Sequence, residues 1–235
     1  MLEVGPGRGA LTAALAARGN RVVAVEIDRD LIATLQDRFA GSASVAIIEA
    51  DALRREPAAL LAMGRTSVPY VVVANLPYNI AAPLLRRFLE AEAPPRRLVV
   101  MVQLEVAQAI CAGPGAMSLI GVATQVYGEP RLIMKVAPGA FTPPPKVRSA
   151  VVRIDVAPRP RVDAPLDGFF RVVRAGFSNP RKQLRNSLAF GLQAEHAEID
   201  AVTRAAGIDA TLRPQMLSLD DWAAIARAWL ARGGA

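Results

Sequence analysis

Along the first 155 residues, short runs of β-branched and aliphatic residues alternate with segments whose apolar positions recur every three or four residues. Near-continuous apolar runs suit strands buried on both faces, and the longer period suits helices lying over them. The runs predict strands at residues 2–4, 21–26, 45–49, 70–74, 98–103, 131–136 and 148–154. The periodic segments predict helices at 10–17, 30–39, 57–63, 83–90 and 105–111. This rhythm predicts an α/β domain built on a doubly wound, mostly parallel, seven-stranded sheet. Its last two strands follow each other closely, as in an antiparallel edge hairpin.

The pattern breaks at 157–165, Ala-Pro-Arg-Pro-Arg-Val-Asp-Ala-Pro, which reads as a linker. Beyond it only helical periods occur, at 166–177, 181–190, 197–206 and 220–231, with Ser218 or Asp220 as the N-cap of the last. The expected organisation is a sheet domain over 1–156, the linker, and a small helical domain over 166–235. Met1 opens directly in the first strand, so the sheet is expected to start without a lead-in.

A chain of 235 residues with 52% hydrophobic positions can bury a full core and support a small second domain. It contains no apolar run near the roughly 18 residues of a membrane span, and no basic stretch followed by an apolar one at the start. A cytoplasmic, monomeric protein is expected. The single Cys111 and single His196 make neither a disulfide nor a metal-ligand cluster, so both are expected to be structural and no metal is anticipated. Net charge is +7, and its placement matters more than its size. Residues 141–185 hold ten Lys or Arg against three Asp, while the remainder is neutral. A basic segment beside a neutral body suits a phosphate-backbone partner, although a solvated basic face gives the same count.

Leu2-Glu3-Val4-Gly5-Pro6-Gly7-Arg8-Gly9-Ala10 reads as a strand, a glycine turn and a helix start. Such a turn lets a ligand approach the backbone and meet the free N–H groups of the helix. Taken alone, this Gly-x-Gly-x-Gly spacing is also compatible with a structural turn. Glu26 ends the second strand, where a carboxylate can accept hydrogen bonds from both ribose hydroxyls; Asp51 follows the third, where one can accept from an adenine amine. Jointly these placements favour an adenosine-containing ligand.

The fourth strand runs into Asn75-Leu76-Pro77-Tyr78. The N6 lone pair of an adenine is delocalised into its ring. The Asn75 side-chain carbonyl and the Leu76 backbone carbonyl can each accept one N6 hydrogen, drawing the nitrogen toward sp³ geometry and aiming its lone pair at a sulfonium methyl. Pro77 donates no N–H and stiffens the backbone, and Tyr78 offers a ring on which a base can stack, worth about 1–3 kcal/mol. Catalysis would then rest on positioning, without a strong general base. The alternative is a strand-ending turn with Tyr78 as packing.

These segments, together with Val25-Glu26-Ile27-Asp28, Glu49-Ala50-Asp51-Ala52-Leu53, Phe141-Thr142-Pro143-Pro144-Pro145-Lys146-Val147-Arg148-Ser149-Ala150-Val151-Val152-Arg153 and Arg181-Lys182-Gln183-Leu184-Arg185-Asn186, resemble the successive signatures of the small-subunit rRNA adenine N6-dimethyltransferases. The resemblance implies a Rossmann-like class I methyltransferase fold and S-adenosyl-L-methionine as cofactor. It also implies dimethylation of two adjacent adenines near the 3′ end of 16S rRNA, within the immature small ribosomal subunit. Cofactor contacts are expected from Gly5, Gly7, Glu26, Ile27, Asp51, Ala52 and Asn75. Substrate positioning is expected from Asn75, Leu76, Pro77 and Tyr78, with Phe141 closing on the flipped base opposite Tyr78. RNA contacts are expected from Lys146, Arg148, Arg181, Lys182 and Arg185.

Relative to that family the N-terminus is expected to be shortened, lacking the Gln-Asn-Phe-Leu-type segment that covers the cofactor. Leu104 stands where many members have Lys, and Met117-Ser118-Leu119-Ile120 where a Tyr-Gly-Arg-Leu-type run is common, changes expected to alter RNA contacts. Two other readings stand beside this one. An Erm-type 23S rRNA adenine methylase shares the glycine loop and an Asn-Leu-Pro-Tyr-like motif, but the triple-proline segment after Phe141 favours the small-subunit family. An RNA-binding assembly factor with little catalysis is the second.

Overall fold

The computed structural model describes residues 1–141 and 144–234. It divides into two compact units, Met1–Ala107 with Glu129–Ala157, and Gln108–Gly128 with Pro158–Ala235.

The first unit is the sheet. Strands β1 (Leu2–Val4), β2 (Val22–Glu26), β3 (Val45–Glu49), β4 (Val71–Asn75), β5 (Arg97–Gln103), β6 (Gly128–Val136) and β7 (Ser149–Val156) lie in the order β3-β2-β1-β4-β5-β7-β6. Pairing is parallel from β3 through β5, and β7 runs antiparallel to β5. Strand β2 is buried at all five positions, which is why its sequence is apolar without alternation. From β1 the chain winds outward through β2 and β3, then returns to place β4 on the other side of β1. The crevice beyond the C-terminal ends of β1 and β4 is therefore the switch point at which open α/β sheets bind ligands.

Helices α1 (Ala10–Ala16), α2 (Arg29–Arg38), α3 (Pro57–Met63) and α4 (Ala81–Leu89) follow the first four strands, and α5 (Leu104–Cys111) follows β5. Asp28 caps α2 by accepting from the Asp30 N–H. On α4, Ala81, Leu84, Leu85, Phe88 and Leu89 are buried, a stripe at helical spacing.

The second unit is helical: α6 (Leu119–Gln125), α7 (Leu166–Gly176), α8 (Leu184–Leu192), α9 (His196–Ala206) and α10 (Leu219–Leu230). Of the two expected N-caps for α10, Ser218 serves: its Oγ accepts from the Asp221 N–H, and the Asp221 carboxylate accepts from the Ser218 N–H, a reciprocal capping box. Phe169, Val172, Leu188, Ile199 and Trp222 form its centre.

The division departs from the expected boundary between 156 and 166. Residues 108–128 belong to the helical unit because Met117, Val122 and Val126 are buried in its core, and Val162 of the expected linker joins them. Arg161 secures that join, donating from its backbone N–H to the Val126 carbonyl and from its guanidinium to those of Gln125 and Gly128. Helix α8 begins at Leu184, three residues later than expected, leaving Arg181 and Lys182 on the preceding turn. Among the described residues, no helix is long and apolar enough to cross a membrane.

Candidate active site

At the end of β1 the chain turns through Gly5, Gly7 and Gly9 at φ of 67°, 57° and 78°. These left-handed values strain any residue with a Cβ. Two neighbours hold the turn. The Gly5 N–H donates to the Val25 carbonyl (3.0 Å), and Arg38 at the end of α2 donates to the Arg8 carbonyl. A Cβ on Gly9 would come within 2.7 Å of the Phe39 ring, so α2 also fixes how closely the loop packs.

Beneath the turn, Glu3 is buried on β1 and accepts a hydrogen bond from the Thr12 hydroxyl of α1 (2.7 Å). Burial pushes its carboxyl up to about 7, against the lowering effect of that hydrogen bond. Sequence reasoning gave Glu3 no role, because an acid in a strand of three residues carries no signal of its depth.

Glu26 and Asp51 stand at the C-terminal ends of β2 and β3, as their positions require. Glu26 Oε1 accepts from the Ile27 and Asp28 N–H groups (2.9 and 3.1 Å), which fixes the carboxylate and leaves Oε2 without a protein partner among the described residues. Asp51 Oδ1 accepts from the Leu53 N–H (2.9 Å), and its Oδ2 faces the exposed Arg54 guanidinium at 3.3 Å. A cleft of about 270 Å³ gathers Gly5, Glu26, Ile27, Asp51 and Ala52, five of the seven expected cofactor residues. Ile27 is 65% exposed at its edge, an apolar side chain suited to the face of a flat base. Val4, Val25, Ala50, Leu53, Pro77 and Ile80 complete the lining. Gly7 and Asn75 do not line it.

Asn75 instead lines a neighbouring cleft of about 310 Å³, with Leu76, Pro77, Tyr78, Phe141 and Pro145. All five expected substrate residues thus meet there. Asn75 is the last residue of β4, and the Leu76 N–H is taken by the Met101 carbonyl of β5 (3.1 Å), so the neighbouring strand fixes the Asn75–Leu76 peptide, which precedes the carbonyl expected to accept from N6. The Ile80 N–H closes a turn onto the Pro77 carbonyl (3.1 Å). The Tyr78 hydroxyl lies 2.6 Å from that of Ser149. Pro77 lines both clefts, so a donor in one and an acceptor base in the other would meet at that residue. Thr142 and Pro143 of the proline segment lie outside the described residues.

The expected RNA-binding residues fall into two groups. Lys146 and Arg148 are exposed on the segment leading into β7 of the sheet unit. Arg181 and Lys182 are exposed in the helical unit, whereas Arg185 is paired with Asp200 at 2.7 Å and is 43% exposed.

Residues 1–228 match the family described as ribosomal RNA adenine dimethylase. The chain belongs to this family. It is similar to the ribosomal RNA small subunit methyltransferase A of Pelotomaculum thermopropionicum, 43% identical over 244 residues that cover 100% of this chain and 83% of the relative. It is also similar to that of Dehalococcoides mccartyi strain 195, 41% identical over 94% of this chain and 76% of the relative. Among solved structures, the 23S rRNA methyltransferase ErmE superposes with a TM-score of 0.72 at 26% identity, covering 97% of this chain and 89% of that one. A dimethyladenosine transferase from Plasmodium falciparum superposes at 0.73 with 21% identity, over 99% and 90%, and attests the fold. The sheet is that of a class I methyltransferase. Family membership makes the chain an rRNA adenine dimethyltransferase, and fold and family together imply S-adenosylmethionine as methyl donor.

Proposed function

We propose that this chain dimethylates N6 of two adjacent adenines near the 3′ end of 16S rRNA in the immature small subunit. The observation that carries the reading is the pair of clefts sharing Pro77. The residues of the first fit an adenosine-containing donor: a glycine turn close enough for backbone contact, a fixed carboxylate with one free oxygen for ribose hydroxyls, and the exposed Ile27 for the base face. Bound there, S-adenosylmethionine supplies an electrophilic methyl group on sulfur. Glu26 orients the ribose, Asp51 faces the cofactor adenine, and Gly5 admits the donor against the loop.

In the second cleft, Tyr78 and Phe141 sandwich the extruded base. Asn75 Oδ1 and the Leu76 carbonyl accept its two N6 hydrogens, which aims the nitrogen lone pair across Pro77. None of the described residues lining this cleft is a carboxylate or imidazole, so the proton released from N6 passes to water once the new N–C bond has made it acidic. The rate gain comes from placing two reactants in line. Small-subunit rRNA is favoured as substrate by the names of the relatives that match nearly the whole chain.

Incubation of under-methylated small subunits with this protein and cofactor, followed by reverse transcription, tests the reading. Stops at two adjacent adenines of 16S rRNA are expected, because two methyls on N6 block base pairing. Stops on unmethylated 23S rRNA offered in a parallel reaction, with none on 16S rRNA, would turn the assignment to the Erm-type activity. RNA binding without any stop would leave an assembly factor.

A further inference from the structure

Most of the ligand side of this sheet lies at the C-terminal ends of parallel strands, but β7 runs the other way. Its first residue, Ser149, pairs with Gln103, the last residue of β5, and so stands at the end of the sheet where the clefts open. Ser149 is fully buried, and its hydroxyl has one hydrogen-bond partner among the described residues, the Tyr78 hydroxyl at 2.6 Å. A hydroxyl in a strand whose residues Ala150, Val152 and Ile154 are apolar and buried is costly unless paired. Tyr78, by contrast, is half-buried, and its ring lines the cleft beside Asn75.

We propose that Ser149 is a positioning residue for the reaction: by holding the Tyr78 hydroxyl it fixes the position of the ring on which the target adenine stacks. The hydroxyl lies on the axis about which the ring itself turns, so an anchor there restrains the first side-chain torsion and with it the position of the ring. The loop bearing Asn75 to Tyr78 is thus tied at its start to β5 through the Leu76 N–H and at its ring to β7 through Ser149. The base platform and the N6 acceptors are held by neighbouring strands of one sheet, so the stacked base and the carbonyls that take its amine hydrogens keep a fixed relation. The role rests on the function proposed above and adds to it a residue with no place in the cofactor cleft.

The test is a double-mutant cycle of Ser149→Ala and Tyr78→Phe on under-methylated small subunits, with cofactor affinity measured in parallel. Each single change is expected to lower kcat about tenfold while cofactor Kd stays within twofold, and the double variant is expected to be no slower than the slower single one. Losses that multiply to about a hundredfold, or a Tyr78→Phe variant with wild-type kcat, would overturn the role. Should Ser149→Ala fail to fold, Tyr78→Phe alone reads the bond, since it keeps the ring and removes only the hydroxyl. A parallel loss of cofactor affinity in either variant would show a structural role instead. Wild-type protein that methylates no adenine would remove the proposed function itself, and the role with it, before any variant is compared.

Discussion

A Cβ built on Gly5 would lie 3.4 Å from the ring of Pro77, and Gly5 holds a φ of 67°. A methyl there would sit in ordinary contact with Pro77, so the constraint at Gly5 is its left-handed backbone, in a loop that lines the cofactor cleft. Gly5→Ala is expected to cost roughly 1–2 kcal/mol from the left-handed backbone and to raise cofactor Kd tenfold or more as the strained turn relaxes within the cleft it lines. Gly19→Ala is the control: φ there is 78°, yet a Cβ meets nothing within 4 Å. It should lower stability by a similar amount and leave cofactor Kd unchanged. Calorimetric titration of both variants with S-adenosylmethionine decides whether the place of the strain, in the loop that lines the cleft, matters.

Asn75 lines the base cleft and is absent from the lining of the cofactor cleft. Asn75→Ala is accordingly expected to keep cofactor Kd within a few-fold while methyl transfer falls by a factor of about 100 or more, on the scale of losing a transition-state hydrogen bond. Turnover at the wild-type rate in single-turnover assays would sink the proposed role of its amide.

The positions of Glu26, Asp51 and Asn75 were legible because each sits at or just after a strand end, and strand ends follow from apolar runs. Glu26 needed only the run from Val22, and Asn75 the run from Val71. Helix α6 was invisible for the opposite reason. Its seven residues include Ile, Val and Thr, which carry no helical preference, and the segment is helical because Ser118 caps it at Gly121 and Val122 reaches the core. Ser149 belongs to the segment that follows the prolines, but its partner Tyr78 is 71 residues away, and only the antiparallel placement of β7 brings them together. Charge was the least legible signal, since a sequence counts cations without showing which ones the protein itself uses. Arg161 is spent on carbonyls at the end of α6, and Arg185 on Asp200.

Glu3 links stability to pH. Its carboxyl, ordinarily near 4.5, is raised by burial to about 7, so the folded chain holds this proton more tightly than the unfolded one. The stabilisation is fully present below about pH 4.5 and is lost as pH rises through about 7, a swing on the order of 3 kcal/mol. Glu3→Gln keeps an acceptor for Thr12 and removes the titration. The variant should be the more stable protein at pH 8, with the difference shrinking as pH falls toward 5. Urea midpoints across that range measure it, and parallel curves for the two proteins would refute the linkage.

Arg181, Lys182 and Arg185 read alike in sequence, yet their surroundings predict different behaviour. Arg181 and Lys182 are exposed without an acidic partner among the described residues, whereas Arg185 holds Asp200 between α8 and α9. If the first two meet RNA phosphates, neutralising both as Arg181→Gln and Lys182→Gln should weaken RNA binding. It should also flatten the dependence of log K on log salt by about 0.7 for each phosphate of a single-stranded segment that is no longer neutralised. Arg185→Gln should leave that slope near the wild-type value and cost at most about 1 kcal/mol of stability, because a half-exposed ion pair is worth little. Filter-binding titrations between low and moderate salt separate the cases. An unchanged slope in the double variant would move the RNA surface away from this turn, and a flattened slope in Arg185→Gln would show that Asp200 releases Arg185 when RNA binds.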